Sequence, residues 1–197
     1  MYGNRNREVV RRRVGLMTPA ALRMAVGDLV VYASHGIGRV ESRQSPGTRS
    51  EALTIVFERG LKVTLPVARA LTALRPLSGE ADLDEVGRTL QVETSPAVEP
   101  WSRRHRRLQA KLVDGSIGGL AEIVRDGVRR ERRRVKGGPS PVEHQLYRQA
   151  LGLLVAEIAA ARGIEPDAAE AWVSRQVGEE RNRGQSARTS STRAATT

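Results

Sequence analysis

Near residue 77 the spacing of apolar side chains changes from every second residue to every third or fourth, and this change limits the folds open to the chain. Upstream of it, Gly27-Asp28 leads into Leu29-Val30-Val31-Tyr32, and Gly36 and Gly38 interrupt the run before Arg39-Val40-Glu41. Gln44-Ser45-Pro46-Gly47 is a turn signal. An apolar run from Ala52 to Glu58, a two-residue turn at Arg59-Gly60 and a run from Leu61 to Pro66 follow. In the last run Leu61, Val63 and Leu65 alternate with Lys62 and Thr64, the period of a half-buried strand. Pro66 has no backbone donor, so pairing stops there, as at an edge strand or strand end. Four or five short strands in about fifty residues cannot build an open sheet with two covered faces. A small, strongly bent barrel is predicted.

Downstream the period is helical. A short helix is expected over Asp82–Leu90, and Pro96 and Pro100 precede a second in which Trp101, Leu108 and Leu112 share a stripe. Asp114-Gly115 ends that helix and Ser116 caps the next, where Ile117, Leu120, Ala121, Val124 and Val128 recur at helical spacing up to Val135. Gly118, Gly119 and Gly127 weaken it by roughly 1 kcal/mol each relative to alanine, so packing must hold it. After the break at Lys136-Gly137-Gly138-Pro139, Ser140-Pro141-Val142-Glu143 combines an N-cap, a proline at the first helical position and a capping-box glutamate. This helix runs through Leu146, Ala150, Leu153, Leu154 and Ile158 to Arg162-Gly163, and a last short helix follows Glu165-Pro166. The expected class is therefore α+β, a small barrel over residues 26–77 followed by a helical bundle over 78–180. Residues 1–25 and 181–197 are expected to be disordered basic ends, and Met17 and Met24 leave a later start open.

Apolar residues at 39% supply a core, and no apolar run approaches the roughly 18 residues that span a bilayer. The basic amino terminus lacks the apolar stretch of a secretory signal. The absence of cysteine excludes disulfides, thiolate metal sites and cysteine nucleophiles. A soluble cytoplasmic protein is expected. The net charge of +11 is uneven: residues 101–136 carry 12 basic and 4 acidic side chains, whereas residues 137–180 carry 3 and 7. A local positive field of this kind suits a polyanionic partner, and an arginine-biased solvated surface is the plainer alternative.

Catalysis has little to stand on. His35, His105 and His144 lie in a turn and on two different helices without metal-ligand spacing, and neither a phosphate loop nor a nucleophile elbow is present. No enzymatic role, cofactor, metal, membrane or small-molecule substrate is expected. The constellation Pro100-Trp101-Ser102-Arg103-Arg104-His105-Arg106-Arg107 is more telling. Four arginines within six residues can reach phosphates beside a groove, and a planar ring next to them can stack on or wedge beside a base. Spacing alone favours a different place for Trp101, at the end of the bundle core in line with Leu108 and Leu112.

Taken together, residues 27–76 and 81–163 resemble the CarD/CdnL family of bacterial transcription regulators. The resemblance begins with Val26-Gly27-Asp28-Leu29-Val30-Val31-Tyr32 and His35-Gly36-Ile37-Gly38-Arg39-Val40, and continues with Val63-Thr64-Leu65-Pro66. It then takes in Trp101-Ser102-Arg103-Arg104, Lys111-Leu112, Ala121-Glu122-Ile123-Val124-Arg125-Asp126, and Leu153, Leu154 and Glu157 of the Ser140–Gly163 helix. It implies a Tudor-like amino-terminal domain that binds the RNA polymerase β subunit, with Lys62, Val63, Thr64, Leu65 and Pro66 on the contact edge. In that arrangement Leu61, Val63 and Leu65 fill the barrel while Lys62 and Thr64 face outward.

The resemblance also implies a helical domain that touches promoter DNA at the upstream fork of the transcription bubble without reading sequence. Trp101 matches the family's minor-groove wedge there, and Arg103, Arg104, Arg106 and Arg107 are the basic residues placed to contact phosphates. The implied role is to stabilise the open promoter complex. Three residues depart from the family pattern: Ala33 stands where proline is frequent, Thr64 where a basic residue is frequent, and Gly127 where a bulky apolar residue is usual, so looser packing is expected around Gly127. A ribosome- or RNA-associated protein and an architectural DNA binder independent of polymerase are the alternative classes.

Overall fold

The computed structural model describes residues 24–33, 35–44, 51–93, 99–132 and 139–178. The basic ends, the Ser45-Pro46-Gly47 turn, Pro96 and the segment from Arg133 to Gly138 lie outside them, except that Met24 and Ala25 of the amino-terminal extension are described. Met24 is 4% exposed in the barrel core, so packing includes residues ahead of Val26.

The first body is an antiparallel sheet of β1 (Leu29–Tyr32), β2 (Gly36–Gln44), β3 (Ala52–Phe57), β4 (Lys62–Pro66) and β5 (Leu74–Pro76), in the order β4-β3-β2-β1-β5. A short helix, α1 (Val67–Ala73), connects edge β4 to edge β5 and buries Ala70 in the core of the sheet. Periodicity did not reveal α1. Alternation in β3 turns Leu53, Ile55 and Phe57 inward, where they join Val30, Val40, Leu65, Ala70 and Leu74. Fully burying a side chain such as Ile55 stabilises the fold by about 1.5–3 kcal/mol.

Two sequence expectations for this sheet are corrected. Gly36 and Gly38 do not interrupt β2 but lie within a single nine-residue strand. A Cβ on Gly38 would sit 2.4 Å from Ile55 Cγ2 and 2.8 Å from the Phe57 ring, so the missing side chain is the space those two residues fill. Farther along, Val40 pairs with Ile55 but Ser42 pairs with Thr54, which leaves Glu41 as a bulge that sharpens the bend. The turn before β4 is also longer than two residues: Glu58–Gly60 form a 3₁₀ turn with Gly60 at φ +76°, closed by Phe57 N–H donating to Leu61 O at 2.8 Å.

The second body comprises α2 (Glu80–Gln91), α3 (Trp101–Asp114), α4 (Ile117–Arg132), α5 (Pro141–Arg162) and α6 (Pro166–Gly178). Asp82 accepts from Gly79 N–H at 3.0 Å to cap α2, and Gly115 and Gly163 take left-handed φ values of +64° and +62° where α3 and α5 stop. Leu83, Leu90, Leu108, Ile123, Leu154 and Ile158 are fully buried at the centre of the bundle. The Tyr147 ring lies over Gly127, 2.7 Å from where a Cβ would stand. A cavity of about 170 Å³ lined by Val124, Gly127, Val128 and Tyr147 remains beside them, so packing here is open on one side, in line with the looser packing expected.

Candidate functional site

The first turn of α3 and the first turn of α5 form one hydrogen-bonded unit. Pro100 fixes the entry to α3 at φ −54°, and its carbonyl accepts from Arg103 and Arg104 N–H, each at 3.1 Å. On the other side, Ser140 caps α5: its Oγ accepts from Glu143 N–H at 3.3 Å, and Glu143 Oε2 accepts from Ser140 N–H at 2.9 Å. The same two side chains then reach across to α3. Trp101 Nε1–H donates to Ser140 Oγ at 3.3 Å, and Arg104 Nε donates to Glu143 Oε1. The capping box of α5 is therefore also the seat of the tryptophan.

Trp101 is 48% exposed, so it does not close the bundle core as its spacing with Leu108 and Leu112 suggested. A helix turns about 100° per residue, and this sorts the four arginines. Arg103 and Arg106 point outward, and among the described residues neither has a carboxylate partner; Arg106 Nε donates to Ser102 O at 3.3 Å. Arg104 faces inward, its side chain 11% exposed against a Glu143 side chain that is 1% exposed. Arg107 bonds Glu99 Oε1 at 2.7 Å and lies 3.6 Å from Asp126 Oδ2. Arg104 and Arg107, both expected to contact phosphates, are engaged by carboxylates of the bundle, Arg104 with its side chain 11% exposed and Arg107 with 38%. A signal for this was present, because Arg104 falls between Trp101 and Leu108 on the apolar stripe.

The electrostatics follow from these pairings. Burial works against the charge on Glu143, but hydrogen bonds from Arg104 and the Ser140 backbone, together with the charges of Arg104 and Arg130, outweigh it and hold the carboxyl below its ordinary range. Burial likewise opposes the charge on Arg107, and Glu99 and Asp126 more than offset it, raising its pKa. Lys111 pairs with Glu122, as Arg104 and Arg107 pair with Glu143 and Glu99. Outward positive charge on α3 is left to Arg103 and Arg106.

In the barrel, β4 has β3 as its one hydrogen-bonded neighbour among the described residues and so presents an open edge. Lys62 and Thr64 are exposed, with Lys62 Nζ 2.6 Å from Glu41 Oε1 and the Thr64 and Thr54 hydroxyls 3.1 Å apart. Leu65 is buried, Val63 packs against the core from the margin, and Pro66 is exposed at the start of α1. Leu61 departs from expectation: it is 45% exposed, because the 3₁₀ turn holds it outside the ladder.

Among the described residues no cluster of three or more histidine, aspartate or glutamate side chains could hold a metal ion, and no helix is long and apolar enough to cross a membrane. Comparison with known families finds matches to both bodies. Residues 24–78 match the family model for the CarD-like/TRCF RID domain, and residues 85–174 match that for the CarD C-terminal domain. The chain is also 25% identical over 144 residues to the Bacillus subtilis (strain 168) protein named "Putative transcription factor YdeB", covering 71% of this chain and 92% of that protein.

Proposed function

This chain is a CarD-like family member and so a transcription regulator, and we propose that it binds the RNA polymerase β subunit through β4 and stabilises the open promoter complex through Trp101. The observation that carries this reading is a tryptophan held half-exposed between two helix starts, with Arg103 and Arg106 exposed beside it. A flat ring fits an unstacked or widened step at the edge of a bubble better than it fits closed duplex. Because it then binds the open state more tightly than the closed one, it shifts the equilibrium toward open. Coupling of about 1–3 kcal/mol corresponds to a change of roughly 5- to 150-fold.

The partner surfaces divide the work. An open strand edge suits pairing by strand addition, with main-chain hydrogen bonds giving affinity and Lys62, Thr64 and Pro66 presented to the partner. Arg103 and Arg106 supply sequence-independent attraction to phosphates that weakens with salt. Tethering on polymerase raises the local concentration of the helical domain at the promoter, so weak intrinsic DNA affinity is enough. The site of action is then the cytoplasm, on the polymerase itself.

The test is the lifetime of open complexes on cognate polymerase after competitor challenge, with no protein, wild type and Trp101→Ala. Wild type lengthens the lifetime, and Trp101→Ala loses most of the gain while still binding polymerase. A wild-type protein without effect on lifetime, co-sedimenting with ribosomes instead, would falsify the reading.

A further inference from the structure

Arg75 and Glu157 are 82 residues apart in sequence, one on β5 of the barrel and the other on α5 of the bundle. Glu157 is 1% exposed, and both its oxygens are engaged. Arg75 Nη1 donates to Oε1, Arg75 Nη2 donates to Oε2 at 2.6 Å, and Ser78 Oγ donates to Oε1 at 2.6 Å. Arg75 Nη2 donates as well to Gly115 O at 2.9 Å, in the turn that ends α3. One guanidinium thus ties the barrel to α5 and to the helix that begins with Trp101.

Around this pair Val31, Tyr32, Ala33 and Ile37 of the barrel face Leu120 and Leu153 of the bundle across a small apolar seam. Ala33 packs so closely on Gly115 that a Cβ there would come within 2.4 Å, and Leu153 Cδ2 lies 3.2 Å from where a Gly36 Cβ would stand. Beside these contacts a groove of about 790 Å³ separates Ile37, Val56 and Phe57 from Val155, Ala156 and Ala159. Domains of this size are expected to move relative to one another unless the interface between them is large and apolar. A bidentate guanidinium–carboxylate pair is directional as well as attractive. Buried pairs add little net stability over apolar substitutes, so their main contribution is to geometry.

We propose that Arg75 and Glu157 are positioning residues that lock the two domains into one rigid body, fixing Trp101 at a set distance and angle from the polymerase-facing edge β4. This rests on the function proposed above and adds to it. A loose tether would supply local concentration alone, whereas a locked one also delivers the ring in its working orientation without a further ordering cost.

The chain has no cysteine, so Leu71→Cys on α1 and Val113→Cys at the end of α3 provide a clean pair of spin-label sites. Both side chains are exposed, Leu71 at 41% and Val113 at 78%. In the labelled full chain the wild-type background gives one narrow interspin distance. Arg75→Met combined with Glu157→Met removes the directional pair without stranding a buried charge, and so keeps both domains folded by circular dichroism. This variant broadens the distance and still binds polymerase, and it loses most of the roughly 5- to 150-fold lifetime gain. Arg75→Lys keeps the charge without the fork, so it broadens the distance less than the double variant does. The proposal is overturned by a narrow distance in the double variant, by a broad one in the wild-type background, or by a full lifetime gain despite broadening. If the wild type itself gives no lifetime gain, the functional reading falls, and the distance measurement decides alone whether the pair locks the domains.

Discussion

The Trp101 indole lies nearly parallel to the imidazole of His105, with the ring planes 10° apart and the centroids separated by 5.1 Å. Residues four apart share a helix face, so this offset stack covers one side of the tryptophan from within α3, while Ser140 holds its edge from α5. Such ring pairs contribute about 0.5–1.5 kcal/mol beyond simple burial. His105→Ala is therefore expected to shorten open complexes by about 2- to 13-fold, and His105→Tyr to restore most of the loss. If alanine and tyrosine variants give equal lifetimes, the stack does not support the wedge.

Arg103 and Arg104 are neighbours in sequence with opposite expected phenotypes. Arg103→Ala and Arg106→Ala each lower the slope of log affinity against log salt for duplex DNA by about 1, with little change in stability. Arg104→Ala strands the buried Glu143 carboxylate and costs about 3–5 kcal/mol of folding stability. Salt titration of binding and urea titration of folding separate the two. An Arg104→Ala protein as stable as wild type would contradict the placement of this side chain.

Glu143 makes the fold sensitive to acid. Its carboxyl is held below the ordinary value of 4.5 in the folded state, so its contribution is fully present above that value. It is lost as the pH falls through the lowered folded value. Glu143→Gln is expected to be less stable at neutral pH and to lose less stability between about pH 4.5 and the lowered value. Urea midpoints across this range check the slope, and parallel curves for the two proteins would rule Glu143 out as the titrating group.

Two glycines of α4 separate helix propensity from packing. Nothing lies within 4 Å of a Cβ placed on Gly118, so Gly118→Ala gains about 0.5–1 kcal/mol. At Gly127 the added carbon meets the Tyr147 ring at 2.7 Å, and overpacking of about 1–3 kcal/mol exceeds the same gain. Thermal unfolding should raise Tm for the first variant and lower it for the second. The opposite order would mean that Tyr147 moves aside freely.

Much of this architecture is legible in local pattern. Alternation at Leu53, Ile55 and Phe57, the Ser140–Glu143 capping box, and the stops at Gly115 and Gly163 depend on residues a few positions apart, so the sequence displays them directly. Helix α1 leaves no such signal, because seven residues between two strands offer less than two turns of apolar period. Leu61 keeps the alternation yet lies outside the ladder, because alternation shows which side chains share a face but not where the ladder begins.

The sequence by itself determined the α+β order of the two bodies, the family, and a tryptophan beside a run of arginines at a helix start. Only the tertiary structure decided which arginines are free, because a helix face is inward or outward only once a second helix is packed against it. Glu143, Glu99 and Asp126 take Arg104 and Arg107, and leave Arg103 and Arg106 to solvent. The same reason placed Trp101 outside the core and joined Arg75 to Glu157: a contact across 82 residues leaves no trace in local spacing, since each partner satisfies its own helix or strand equally well without the other.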